Sequence, residues 1–256
     1  MRHAAAVGAV VAAAALAGCG GDGADGSGGE RLVVSAAASL TKPLQACARE
    51  FDGATVRLSF AGSDELAAQI RRGVRPDVFA AANTTLPEAL AREGLAETPR
   101  VFATNMLAVA VARDSQVQSF DDLGDAGVTI AAGTEDVPVG SYTRKALGRL
   151  APPLRTRIER NIRSEEPNVT GVLGKVAQGA VDAGFVYASD IATSGGRVRV
   201  VDVPTVLRPE VQYGVAIVRG APNRAGAERF VASLVRGGCQ RALRAAGFGR
   251  RTATAA

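Results

Sequence analysis

Three segments of the chain place small and hydroxyl residues where a strand gives way to a helix. They are residues 35–41 (SAAASLT), 60–66 (FAGSDEL) and 133–142 (GTEDVPVGSY). The first turn of a helix exposes N–H groups that have no acceptor within the helix, and it carries partial positive charge. Several such starts converging on one cleft form an anion site that needs no Lys or Arg. Ser39 and Ser63 add hydroxyls, while Ala36, Ala37, Ala38 and Gly62 are small enough to let a compact ligand reach the amides. In the third segment Val139 offers only its backbone N–H. A fourth start falls at residues 167–170, around Val169, and Tyr187 brings a phenol from the end of its strand. Each residue also has an ordinary role: Ser39 and Ser63 as N-caps of their own helices, Val139 as a buried contact, Tyr187 as a core tyrosine bonded to backbone. Tyr142 is assigned to packing. The functional reading rests on the joint arrangement.

Most enzymatic chemistry is excluded by what is missing. The one histidine is His3, in an N-terminal segment that reads as removable, so a Ser-His-Asp triad, a histidine zinc site and a histidine general base are all out of reach. Lys42, three residues from Ser39, is the remaining base for an exported serine hydrolase, but the small-residue loop around it supplies no further partners. An iron binder would want tyrosines and carboxylates clustered at the cleft. Only Tyr187 is well placed for that, since Tyr142 and Tyr213 read as packing or crossing residues.

The elements that must position these residues follow from the hydrophobic pattern. With 256 residues, 47% of them apolar, the chain can bury one large core or two lobes. Strands at 32–35, 55–60 and 77–82 alternate with helices at 40–51, 64–72 and 86–92, an order that implies a mostly parallel sheet with its ligand edge beyond the carboxyl ends of the strands. A second unit of the same kind has strands at 106–111, 128–133, near 157–162, 184–189, 198–203 and 213–218, and helices at 140–150 and 169–179. The tail, 223–248, reads as two helices broken at Gly237-Gly238 and packed back on the first unit. This gives two lobes joined by crossings near Thr104 and Gly214.

The first residues read as an address. Arg2 and His3 precede an Ala/Val run ending in Leu-Ala-Gly-Cys at 16–19, too short to span a bilayer and expected to be a signal peptide of residues 1–18. The L-A-G-C string resembles the lipobox of bacterial lipoproteins, in which Cys19 becomes the lipidated first residue. A Gly-rich tether, 19–30, follows. The net charge of +5 comes largely from single arginines beside acids, as in Arg49-Glu50 and Arg92-Glu93, which describes a solvated surface rather than a nucleic-acid groove. Arg71, Arg72 and Arg75 read as a helix end.

The strings AAASLT (36–41), FAGSDELAAQI (60–70) and RPDVFAAAN (75–83) resemble the first lobe of the molybdate-binding substrate-binding proteins of ABC transporters. VPVGSYTRKAL (137–147), NVTGVLGKV (168–176) and GFVYASD (184–190) resemble the second. The similarity runs in unbroken order over about residues 32–248. It implies an α/β, two-lobed periplasmic-binding-protein fold of type II, with a mixed β-sheet in each lobe and helices on both faces. Lobe one is expected at 31–103 and 215–256, and lobe two at 104–214. It further implies molybdate or tungstate held between the lobes by Ser39, Ser63 and Tyr187 side chains and by the Val139 and Val169 amides. The oxyanion is bound through its oxygens, with no direct protein–metal coordination, no cofactor and no catalysis. The implied partners are an ABC permease and, through lipid on Cys19, the outer face of the membrane; a monomer is expected, and no nucleic acid. Sulfate or another small oxyanion is the nearest rival, because amides do not encode the central atom.

Two departures from the family pattern carry expectations. Asp64 and Glu65 follow Ser63 directly and are expected to face solvent, where they suit the helix dipole without repelling a dianion. Pro43 is comfortable only in a first turn, so either the first helix starts one or two residues after Ser39 or one of its hydrogen bonds is missing. Cys47 and Cys239 both fall on helices of the first lobe; a disulfide and two separate buried thiols remain open alternatives.

Overall fold

The computed structural model describes residues 30–249; the signal peptide, Cys19, nearly all of the tether and the last seven residues lie outside the described residues. Among the described residues, ten strands form two five-stranded sheets. The first begins with β1 (Arg31–Ala37), α1 (Thr41–Arg49), β2 (Thr55–Ala61), α2 (Ser63–Arg71), β3 (Val78–Ala81), α3 (Thr85–Arg92) and β4 (Arg100–Asn105). The second holds β5 (Leu107–Ala112), β6 (Ile130–Gly133), α4 (Pro138–Leu147), α5 (Pro152–Asn161), β7 (Ile162–Glu166), α6 (Val169–Ala177), β8 (Ala183–Tyr187), α7 (Ala188–Ala192) and β9 (Val198–Val201). The chain then returns to the first sheet through β10 (Val211–Ile217) and ends in α8 (Arg224–Arg236) and α9 (Gly238–Ala245).

The strand orders are β2-β1-β3-β10-β4 and β7-β6-β8-β5-β9. They are one pattern used twice. In each sheet three parallel strands are followed by an antiparallel strand that has just arrived from the other lobe, β10 in the first and β5 in the second. Central strands are buried on both faces, as in β3, whose four residues are all fully buried. The edge strands β2 and β7 alternate or carry charge, which discourages pairing with another chain. Helices lie against the sheets, and the first-lobe core gathers Leu32, Val34, Leu40 and Leu44 with Phe230 and Leu234 of α8.

Three expectations change. The run near 157–162 is not a strand: α5 occupies Pro152–Asn161, begun by two prolines suited to a first turn, and β7 starts only at Ile162. Residues 213–218 do not finish the second sheet, because β10 pairs with β3 and β4 of the first. The first crossing, between Asn105 and Leu107, falls near Thr104 as expected, whereas the second lies between β9 and β10, ahead of Gly214, and Val211 to Gly214 pair within the first sheet. A long apolar run announces a strand but not which sheet it joins. The tail does pack as expected, α9 lying on α1 and α8, and Cys47 of α1 is bonded to Cys239 of α9 with their Cα atoms 4.7 Å apart. That bond fixes the C-terminal helix to the lobe that begins the chain.

Candidate functional site

The carboxyl ends of β1, β2 and β3 face those of β6, β7 and β8 across the gap between the lobes, and the loops leaving them line one cavity of about 20 Å³. A single buried water needs roughly 10–15 Å³ by the same measure. All five residues singled out in the sequence, Ser39, Ser63, Val139, Val169 and Tyr187, line it, together with Ala37, Ala38, Gly62, Ala82, Val137 and Asn168. Among the described residues, none that lines it carries a charge.

The local sequence explains each placement. After β1 the chain makes a short 3-10 turn, Ala38–Leu40, before α1 starts at Thr41, so Pro43 falls in the first turn of α1, the first of the two alternatives. Ser39 therefore sits on the turn and does not cap α1. Its Oγ lies 2.9 Å from the phenol oxygen of Tyr213. Ser63 is not an N-cap either, because Gly62 holds that position. The Ser63 Oγ accepts the Ala82 N–H at 3.1 Å, which leaves its own proton free to donate elsewhere. In α4, Pro138 takes the first position and has no N–H, so Val139 carries the first free amide. In α6 the Asn168 side chain caps the helix by accepting the Gly171 N–H at 3.1 Å, leaving the Val169 amide at the first position without an intrahelical acceptor.

Tyr187, at the end of β8, is 1% exposed, and its hydroxyl has no hydrogen-bond partner among the described residues. Its ring packs edge-on against Tyr142 and Tyr213, at 6.5 and 5.9 Å between centroids. Burial, reinforced by Tyr213, Tyr142 and Asp190, holds the phenol well above its ordinary pKa, so it keeps its proton and is a donor. Asp190 lies behind it, accepting the Tyr187 N–H at 3.0 Å. Burial lifts the Asp190 carboxyl to about 7 against the pull of that N–H.

Glu65 is exposed and bonded by Gln69, as expected. Asp64 is not turned to solvent. Its Oδ1 is enclosed without a hydrogen-bond partner among the described residues, and burial raises its pKa more than the amides of Asp64 and Glu65 lower it. The carboxylate packs beside Gly62 at the lobe boundary, outside the residues that line the cavity. Lys42 reaches across the lobes to the Thr193 carbonyl instead of Ser39, so neither serine has a base beside it. Arg71 pairs with Glu93 at 2.8 Å and Arg75 donates to the Ile70 carbonyl at the end of α2. Tyr213 is the site residue that the sequence reading missed: a tyrosine in an apolar strand looks like packing, and only the return of β10 to the first sheet brings it under Ser39.

A family model described as bacterial extracellular solute-binding protein matches residues 32–249. The chain belongs to this family. It is a solute-binding protein and not an enzyme, and it is similar to ModA-like extracytoplasmic members that serve ABC transporters. The molybdate-binding protein ModA of Mycobacterium tuberculosis is 35% identical over 230 residues, covering 87% of this chain and 86% of the relative. The periplasmic molybdate-binding protein of Azotobacter vinelandii has the same two-lobed fold, with a TM-score of 0.78, 23% identity and coverage of 86% of this chain and all of that one. The sulfate-binding protein SubI of Mycobacterium tuberculosis shares the fold as well, with a TM-score of 0.76, 14% identity and coverage of 88% of each chain.

Proposed function

We propose that the protein captures molybdate or tungstate outside the cytoplasm and delivers it to an ABC permease, held at the membrane by lipid on Cys19. The observation that carries the reading is the Tyr187 hydroxyl, a buried donor with no partner at the wall of a small uncharged cavity. An unpaired buried hydroxyl costs about 1–3 kcal/mol, which a ligand acceptor recovers. The other groups around it are also donors: the Ser63 proton, and the Val139 and Val169 amides at two helix starts whose dipoles favour an anion. Molybdate is fully deprotonated at neutral pH and presents only acceptors. Hydrogen phosphate would bring a proton that finds no acceptor among these groups, and such unpaired polar groups are heavily penalised. Neutral donors suffice for a dianion because hydrogen bonds to a charged acceptor are stronger than neutral ones. Cavity size separates molybdate from sulfate, which has the same charge. The relatives named for molybdate binding support the same choice.

Thermal unfolding of the intact chain with molybdate, tungstate, sulfate or phosphate tests this. A ligand at 100 times its Kd stabilises the native state by about 2.7 kcal/mol. Stabilisation by molybdate and tungstate at the lowest concentrations is the expected result. Stabilisation by sulfate alone, or by none of the four, would overturn the assignment.

A further inference from the structure

Asn105 is the last residue of β4, at the point where the chain leaves the first lobe, and it is 8% exposed. Its orientation is fixed by its neighbour: the Met106 N–H donates to Asn105 Oδ1 at 2.9 Å. The amide nitrogen therefore faces two hydroxyls, Ser189 Oγ at 2.8 Å and Tyr213 Oη at 3.4 Å. An amide NH₂ can only donate, so the Tyr213 oxygen is the acceptor of that bond. Tyr213 is fully buried, and the one acceptor among its hydrogen-bond partners for its own proton is Ser39 Oγ, 2.9 Å away. With one of its two lone pairs engaged by the Tyr213 proton, Ser39 cannot turn its own proton toward Tyr213 and keeps it to donate toward the cavity.

We infer that Asn105 and Tyr213 are positioning residues that set the direction of hydrogen bonding between Tyr213 and Ser39, so that the Ser39 proton is directed to a bound oxyanion. The inference rests on the oxyanion reading above. A free serine hydroxyl can turn to present either a proton or a lone pair, and would then tolerate a protonated ligand. The chain Asn105 to Tyr213 to Ser39 biases that choice toward donation, because a Ser39 proton turned inward would leave the Tyr213 proton without its acceptor. Ser63 is treated alike by a simpler device, the Ala82 N–H. Because Asn105 also donates to Ser189 of α7 in the second lobe, the polarity of Ser39 is set by a residue held by both lobes.

The experiment is a double-mutant cycle on the full chain, with molybdate affinity measured by calorimetry and arsenate used as the protonated competitor. Tyr213→Phe keeps the ring against Phe102, Tyr187 and Phe248 and removes only the hydroxyl. It is expected to weaken molybdate binding about tenfold, the loss of one modest hydrogen-bonding effect, and to narrow the preference for molybdate over arsenate. Asn105→Asp replaces the donor by an acceptor, so Tyr213 turns its proton away from Ser39 and Ser39 presents its lone pairs to the anion. A loss of about 100-fold or more is expected, combining this reversal with the added charge. In the Tyr213→Phe background only the charge acts, and Asn105→Asp is expected to cost at least tenfold less than it does alone. Thermal unfolding confirms that each variant is folded. Additive losses in folded variants, or an unchanged molybdate-to-arsenate ratio in Tyr213→Phe, would overturn the relay while leaving the oxyanion function standing. A parent chain that binds no oxyanion would overturn both.

Discussion

Replacing Tyr187 by Phe has two consequences of opposite sign. The ring contacts with Tyr142 and Tyr213 survive, since only the hydroxyl is lost. In the free protein that hydroxyl is buried and unpartnered, so its removal relieves a penalty of about 1–3 kcal/mol. For a domain of this size each kcal/mol corresponds to about 2–4 °C, so the ligand-free variant is expected to melt higher than the parent. In the bound state the same change deletes a hydrogen bond to a charged acceptor, worth about 1.5–3 kcal/mol, and molybdate affinity is expected to fall about 10- to 150-fold. Differential scanning fluorimetry without ligand gives the first quantity, and isothermal titration calorimetry gives the second. A tyrosine bonded within the core would behave in the reverse way. A lower melting temperature together with unchanged affinity would therefore refute the reasoning that an unsatisfied hydroxyl marks the site.

Gly62→Ala places a Cβ 2.8 Å from the Pro167 carbonyl of the facing lobe and 2.8 Å from Asp64 Oδ1; the expected outcome is a well-folded protein whose lobes close poorly, with at least tenfold weaker oxyanion binding by calorimetry. Asp190→Asn retains an acceptor for the Tyr187 N–H while abolishing a titration. The folded Asp190 has a pKa near 7, above the ordinary 3.8, so the folded state holds the proton more tightly; this contribution to stability is complete below about pH 4 and is lost as pH rises through 7. The parent is expected to lose up to about 4 kcal/mol from this group between those limits, and urea midpoints of the variant should lack that slope.

Much of the candidate site, as residues lining one cavity, was legible because helix starts leave a local mark. Ser39, Ser63, Val139 and Val169 each follow a strand at a turn into a helix, and short-range chemistry alone places them at the carboxyl edge of a sheet. The details that failed are those decided over long distances. Whether β10 belongs to the first or second sheet depends on pairing with β3 and β4, more than a hundred residues earlier, and nothing in its apolar run encodes that partner. The same long-range pairing hid Tyr213. The run 157–162 misled for a local reason: Ile158 and Ile162 bracket a charged segment, and only the two prolines at 152 and 153 mark the helix that contains most of it. Asp64 shows the limit of the dipole argument, which brings a carboxylate to the start of α2 but does not say whether the opposite lobe will cover it.

The two serines also show why residue type alone understates a site. A serine before a helix is most simply a cap, and a capping serine accepts a hydrogen bond from its own helix. Here both acceptor duties are directed elsewhere, at Ser63 to the Ala82 N–H and at Ser39 to a phenol. With the partner group donating to each hydroxyl, the Ser63 and Ser39 protons are left to find another acceptor, and they lie at a cavity whose lining carries no carboxylate among the described residues. On the proposed reading that acceptor is the ligand. That requirement, repeated at Tyr187 and at two helix starts, is met most fully by a small ion all of whose surface atoms are oxygen acceptors, which is why selectivity can be written in neutral groups and in the shape of the cavity without a single arginine or lysine at the site.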